Sequence, residues 1–211
     1  MDLDPLAEGL HHRFDVKNAA REAALTASRR SIRFSANSIR AIHRGEMDEA
    51  HRLMAESRRA LDEAEEATRE HPDIFFAGYV QDAQKEYAEA RITEAVVHGQ
   101  ELPSVEELRV EAAPYLNGMA EAIGEARRTI LDLLRGGDVD RGERILRAMD
   151  DLYAVLVTID YPDAITGNLR RSTDVARSII EKTRGDLSVA IVQRGLRDAL
   201  DRHARDLHGE G

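Results

Sequence analysis

Four glutamates carry the chemistry this sequence is equipped to do. Glu86 and Glu89 stand in Gln84-Lys85-Glu86-Tyr87-Ala88-Glu89-Ala90. Glu121 and Glu125 stand in Gly118-Met119-Ala120-Glu121-Ala122-Ile123-Gly124-Glu125-Ala126-Arg127-Arg128. Projected on a helix, Phe75, Tyr79, Ala83, Tyr87, Ala90 and Val97 form one apolar stripe. Glu86 falls inside that stripe, roughly 20° from Tyr79 at the standard helical turn, and Glu89 at its edge. A carboxylate withdrawn from water must be neutralised, paired or bound to a cation. The i,i+3 spacing of the two adds mutual repulsion. The pair reads either as a partly buried ion pair with an arginine or as half of a site.

On the second segment, Met119, Ile123, Ala126, Ile130 and Leu133 project to the buried side. Glu121, Glu125, Arg128 and Asp132 share the opposite one, flanked by Gly118 and Gly124. An interior glycine costs a helix about 1 kcal/mol relative to alanine, so two of them fit a place where something must approach the backbone closely. Read alone, this pair is a solvated face with Glu125 and Arg128 as an i,i+3 salt bridge. If the two pairs face one another, four carboxylates make a hard, oxygen-rich environment suited to Mg²⁺ or Mn²⁺. Such an ion lowers the pKa of a coordinated water and stabilises charge on a phosphodiester. Nearby arginines would hold flanking phosphates, and Arg128, one turn from Glu125, is placed to stabilise transition-state charge.

Competing chemistries find less support. A di-iron bundle needs Glu-x-x-His on two helices, and Glu8-Gly9-Leu10-His11 is the only match. There is no His-Glu-x-x-His zinc motif, no phosphate-binding Gly-x-x-x-x-Gly-Lys loop and no Gly-x-Ser-x-Gly elbow. The chain has 0 cysteines, which removes disulfides, thiolate metal sites and cysteine nucleophiles together. His11 and His12 read as surface residues, and His43 as a hydrogen-bonded core or interface residue.

The elements that position these residues are almost all helical. The pattern predicts helices over 15–44, with Gly45 as a stop, over 47–70, and over 73–98 carrying Glu86 and Glu89. Ser104-Val105-Glu106-Glu107 fits a capping box. Further helices are expected over 115–135, 139–159 and 165–205, the last either continuous or interrupted near Gly185. Six or seven helices with short loops imply an all-α antiparallel bundle in one domain spanning 1–211, with short polar tails at 1–10 and 206–211.

Charged residues make up 33% and aromatics 4% of the 211 residues, which suits a helical protein built on small and aliphatic side chains. No apolar run approaches the ~20 residues of a membrane span, and the first residues lack a signal-peptide pattern, so a cytoplasmic location without membrane partners is expected. The net charge of −10 argues against a uniformly basic nucleic-acid surface but not against a local one. Lysine occurs only at Lys17, Lys85 and Lys182, so nearly all 30 basic residues are arginines. A GC-rich genome or salt adaptation explains that bias, and phosphate recognition is compatible with it.

From about Arg21 to Leu187 the chain resembles the translin family, and its translin-associated factor X branch more than translin proper. The landmarks are Leu25-Thr26-Ala27-Ser28-Arg29, Ile42-His43-Arg44, the two glutamate segments, Tyr115-Leu116-Asn117, Asn168-Leu169-Arg170-Arg171 and Thr183-Arg184-Gly185. The resemblance implies about seven helices and a closed, roughly eight-membered barrel, here a homo-octamer, that binds single-stranded RNA or DNA inside. It also implies a metal-dependent endoribonuclease whose acids lie at Glu86, Glu89, Glu121 and Glu125, with Mg²⁺ or Mn²⁺ as cofactor. Glu121 departs from the family's usual Asp by one methylene. Arg29, Arg44, Arg128, Arg170, Arg171 and Arg184 are the expected RNA contacts, and an archaeal source is expected. The alternative within the same resemblance is a non-catalytic single-strand-binding scaffold.

Overall fold

The computed structural model describes residues 2–208. Among the described residues there are nine helices and no strand: α1 (Asp4–Arg44), α2 (Met47–Thr68), α3 (Pro72–Phe75), α4 (Tyr79–His98), α5 (Val105–Leu108), α6 (Ala112–Arg135), α7 (Val139–Leu156), α8 (Asp163–Thr166) and α9 (Leu169–His208). Six are long and three are single turns, so the all-α expectation holds. No helix among them is long and apolar enough to cross a membrane.

α1 stops where Gly45 turns left-handed at φ 74° and its N–H closes onto Ile42 O at 2.9 Å. α2 starts two residues later, so the two helices form a hairpin. Their interface uses small side chains, including Ala24, Ala27, Ser31 and Ser35 on α1 and Ser57, Ala60 and Ala64 on α2, all buried. The hydroxyls are not stranded there. Ser57 Oγ lies 2.8 Å from both Ser31 Oγ and Ser35 Oγ, so a polar ladder runs through the seam.

Several boundaries differ from those the sequence predicts. α1 begins at Asp4, with Pro5 in its first turn where a missing N–H costs nothing. The expected N-terminal tail is therefore largely an exposed stretch of helix. α9 continues through Gly185, where an added Cβ would meet nothing within 4 Å. It reaches His208, and residues 209–211 of the expected C-terminal tail lie outside the described residues.

The break that matters most lies within 73–98. α3 ends at Phe75, and Gly78, at φ 107°, redirects the chain into α4. Phe75 and Tyr79 then pack with Ala27, Ala64 and Val80 in a small separate cluster instead of extending the stripe of Tyr87 and Ala90. The capping box at Ser104 is formed: its Oγ accepts from Glu107 N at 3.1 Å and its N–H donates to Glu107 Oε2 at 2.7 Å.

α4 and α6 are the inner pair of the bundle. α4 packs on α1 and α6, and α6 in turn carries α7 and α9. Ile92 of α4, Ile123 and Ile130 of α6, Met149 and Leu152 of α7 and Leu187 of α9 are fully buried between them. That arrangement sets one face of α4 against one face of α6, with the start of α9 alongside.

Candidate metal centre

α6 crosses α4 at Gly118. A Cβ there would stand 2.6 Å from Lys85 O and 2.9 Å from Glu89 N, so only glycine lets the backbones come this close. The close approach inferred from Gly118 is thus an approach by a helix. Gly124 serves a looser contact, an added Cβ meeting only Ile179 of α9 at 3.9 Å.

Around that crossing, Glu86 and Glu89 of α4 and Glu121 of α6 each offer a carboxylate oxygen, and these oxygens lie within 4.8 Å of one another. Glu89 is the deepest, with 8% of its surface exposed, whereas Glu86 is half-buried and Glu121 lies at the rim. This reverses the order that the apolar stripe implies for α4. The stripe gives α4 a single buried face, whereas Ala88, Glu89 and Ile92 are buried too, because α6 crosses at Gly118 directly over Ala88 and Glu89 and covers a second face.

Burial, with the charges of Glu86, Glu121 and Glu125 added to it, pushes the Glu89 carboxyl up to about 8. Burial also raises Glu86, against the opposing pull of Lys85. A buried acid held this far from its ordinary range marks a place where a cation is wanted.

Lys85 supplies one. Its Nζ donates to Glu121 Oε1 at 2.7 Å and lies 3.5 Å from Glu86 Oε1. Burial works to lower the ammonium's pKa, but the Glu121 bond and the surrounding carboxylates carry it above the ordinary value. Lys85 directly precedes Glu86, yet no local pattern assigns it to the cluster, because its partner on α6 is 36 residues away in sequence.

Glu125 does not join the other three. Its Oε2 lies 2.5 Å from His43 Nε2, and His43 Nδ1 lies 3.3 Å from Thr129 Oγ1. The bond from His43, opposed by burial and helped by the charges of His43 and Arg128, holds the Glu125 carboxyl below its usual range. The acid leans toward α1 rather than toward α4. The expected Glu125–Arg128 salt bridge is replaced by this one, and the hydrogen bond expected for His43 finds its partner on α6.

A cavity of about 370 Å³ opens beside the cluster. Glu89 and Glu121 form its acidic side, Arg171 and Ser172 its polar mouth, and Val175 and Ile179 an apolar wall from α9. Asn117 fixes that wall to α6. It donates to Thr166 O at 2.8 Å and accepts from Ser172 Oγ at 2.8 Å, tying the start of α9 to the crossing. Asn117 was visible only as a landmark of the family, with no role attached.

The six arginines divide. Arg44 pairs with Glu46, Arg170 with Asp160 and Arg184 with Asp150. Among the described residues Arg29, Arg128 and Arg171 have no ion-pair partner, and all three are exposed. Arg171 lines the cavity, whereas Arg128 lies along α6 with Arg127 and Arg135 in an open depression next to Glu125.

The residues present fit a divalent ion. The donors are all carboxylate oxygens, they are close enough to share one centre, and a lysine ammonium already stands among them as a monovalent stand-in. Hard oxygen donors of this kind favour Mg²⁺ or Mn²⁺ over thiophilic metals.

No protein-family model matches the sequence. An uncharacterised protein of Methanocaldococcus jannaschii, MJ0175, is 32% identical over 191 residues, covering 88% of this chain and 83% of that protein. Among solved structures, AfC3PO is 35% identical, with a TM-score of 0.83 over 89% of this chain and 98% of its own. Its complex with duplex RNA superposes equally well, again at a TM-score of 0.83. NeC3PO, at 21% identity, a TM-score of 0.79 and 90% coverage of this chain, shows the shared fold. With the landmark segments, the bundle and these relatives in agreement, the chain belongs to the translin family, among its C3PO-type members that resemble translin-associated factor X.

Proposed function

We propose that this protein is a Mg²⁺- or Mn²⁺-dependent endoribonuclease acting on single-stranded RNA inside a homo-oligomeric, barrel-like assembly of about eight chains. The observation that carries the reading is the convergence of Glu86, Glu89 and Glu121 at a cavity edged by Arg171. AfC3PO has been solved with duplex RNA, which supports an RNA partner. The cavity favours one nucleotide of a single strand as the reacting unit. At about 370 Å³ it is in the range of small-ligand pockets, and an apolar wall faces its charged rim.

A bound ion would supply charge stabilisation on the phosphodiester and a more acidic water. Glu86, Glu89 and Glu121 would hold it, each through a carboxylate oxygen. Arg171 binds and orients a substrate phosphate at the mouth of the cavity by charge-assisted hydrogen bonds. Val175 and Ile179 exclude water from one side. Arg128 lies one turn beyond Glu125 and binds a flanking phosphate.

The test is Glu89→Gln, compared with the wild-type protein in Mn²⁺ and then in chelator. Assembly and RNA binding should persist in the variant while cleavage disappears. Cleavage at the wild-type rate by purified Glu89→Gln, or cleavage that survives chelation, would overturn the reading. One observation favours the non-catalytic scaffold as a second reading: Glu125 is engaged with His43 and leaves three acids rather than four at the centre. That reading expects RNA binding that ignores chelator and no degradation in any metal.

A further inference from the structure

Lys85 is one of three lysines in a chain with 30 basic residues, and its charge is set inside the carboxylate cluster. The ammonium bridges the two helices of the centre, 2.7 Å from Glu121 on α6 and 3.5 Å from Glu86 on its own helix. Its side chain is as enclosed as that of Glu86, at 24% against 25% exposed. Among the described residues these two carboxylates are its only ion-pair partners, and Glu121 its only side-chain hydrogen bond. The ammonium can therefore leave without breaking any other interaction.

Lysine is the residue type for such a duty. It is a compact charge on a flexible four-carbon stem, whereas a guanidinium would grip two carboxylates in a fixed fork. An ammonium at hydrogen-bond distance and a divalent ion at about 2.0–2.1 Å compete for the same oxygens, because two cations so close repel strongly. On departure the flexible stem carries a charge that a substrate phosphate beside the centre can take up.

We propose that Lys85 is an exchangeable counter-ion: it neutralises Glu86 and Glu121 in the metal-free protein, yields them to an incoming divalent cation, and passes its own charge to the RNA phosphate. This rests on the metal-dependent reading above and adds an order of events to it. The cluster is kept intact between turnovers, and metal enters only by competing with a resident charge.

Isothermal titration with Mn²⁺ alone and anisotropy with a short fluorescent single-stranded RNA test this on the full-length protein. Lys85→Met should bind Mn²⁺ about tenfold more tightly, having lost a competing charge worth about that factor at short range. Lys85→Arg should bind Mn²⁺ more weakly than wild type. At saturating Mn²⁺ the RNA affinity of Lys85→Met should fall several-fold. A lysine that merely supports the fold moves metal and RNA affinity in the same direction. Circular dichroism and gel filtration verify that both variants fold and assemble. Wild-type protein that binds Mn²⁺, with Lys85→Met binding it no more tightly, overturns the exchange and leaves the metal centre standing. Absence of Mn²⁺ binding by the wild type overturns both.

Discussion

His43 on α1 and Glu125 on α6 meet at 2.5 Å across the bundle, and this contact turns the fourth acid of the expected quartet away from the other three. The imidazole is 4% exposed and the carboxylate 28%, so neither is well solvated. Glu125 consequently braces the helix that carries Glu121 instead of adding a donor to the cluster.

His43→Ala removes that brace and leaves a half-buried carboxylate without its partner. An unsatisfied buried group costs about 1–3 kcal/mol, and the urea midpoint of the variant should fall accordingly. A midpoint equal to wild type would mean that water replaces the imidazole at no cost.

Glu89 sets a pH dependence of opposite sign to that of an ordinary salt-bridged acid. Burial and the neighbouring carboxylates push its carboxyl up to about 8 in the fold, from an ordinary value of 4.5. Between those values the folded chain holds a proton the unfolded chain has lost, so the stabilisation is complete below the lower value and is lost as pH rises through the higher. The slope is at most about 1.4 kcal/mol per pH unit. In chelator, the stability of the wild-type protein should therefore decline from pH 5 to 8.5 more steeply than that of Glu89→Gln. Parallel curves for the two proteins would refute this assignment.

Gly118→Ala places a methyl group 2.6 Å from the Lys85 carbonyl oxygen, a backbone atom that cannot rotate aside. The helices must separate, at a cost of about 1–3 kcal/mol by analogy with overpacked cores. Mn²⁺ binding measured by calorimetry should weaken further than this destabilisation alone explains, because the acids sit on both sides of the crossing. Gly124→Ala, with only Ile179 at 3.9 Å, is the matched control: it should leave Mn²⁺ binding unchanged and, as an alanine in a helix interior, stabilise the fold by up to about 1 kcal/mol.

Arg171→Ala should weaken RNA binding about tenfold and lower the salt slope by about 0.7 for a single strand, the loss expected for one phosphate contact. Arg170→Ala and Arg184→Ala, whose guanidinium groups are occupied by Asp160 and Asp150, should shift affinity less than Arg171→Ala at the same ionic strength. Fluorescence anisotropy across a salt series measures all three, and equal effects would remove Arg171 from its special position.

The helical periodicity made the bundle legible, because α1, α2, α6 and α7 each present an apolar face to the core. It also flagged α4, where two acids intrude among Ala83, Tyr87 and Ala90. It placed Glu86 deeper than Glu89, the reverse of the structure, because one stripe cannot show that α6 covers the Glu89 side of α4 at Gly118. Glu121 became visible through family resemblance, as its own face is polar and exposed. The Lys85–Glu121 and His43–Glu125 contacts span 36 and 82 residues, and no local pattern encodes a pairing at such range. Gly118 lay between these cases: the glycine signalled close approach, but its neighbour emerged only in three dimensions.

The crossing at Gly118 has a consequence for the chain before it is finished. Glu89 and Glu121 belong to helices that reach each other only after α5 and both flanking loops have been placed. A partly folded chain therefore has the Glu86–Glu89 pair of α4 without Glu121, and not the complete centre. For a protein that would cut RNA, this withholds the complete arrangement until the bundle closes.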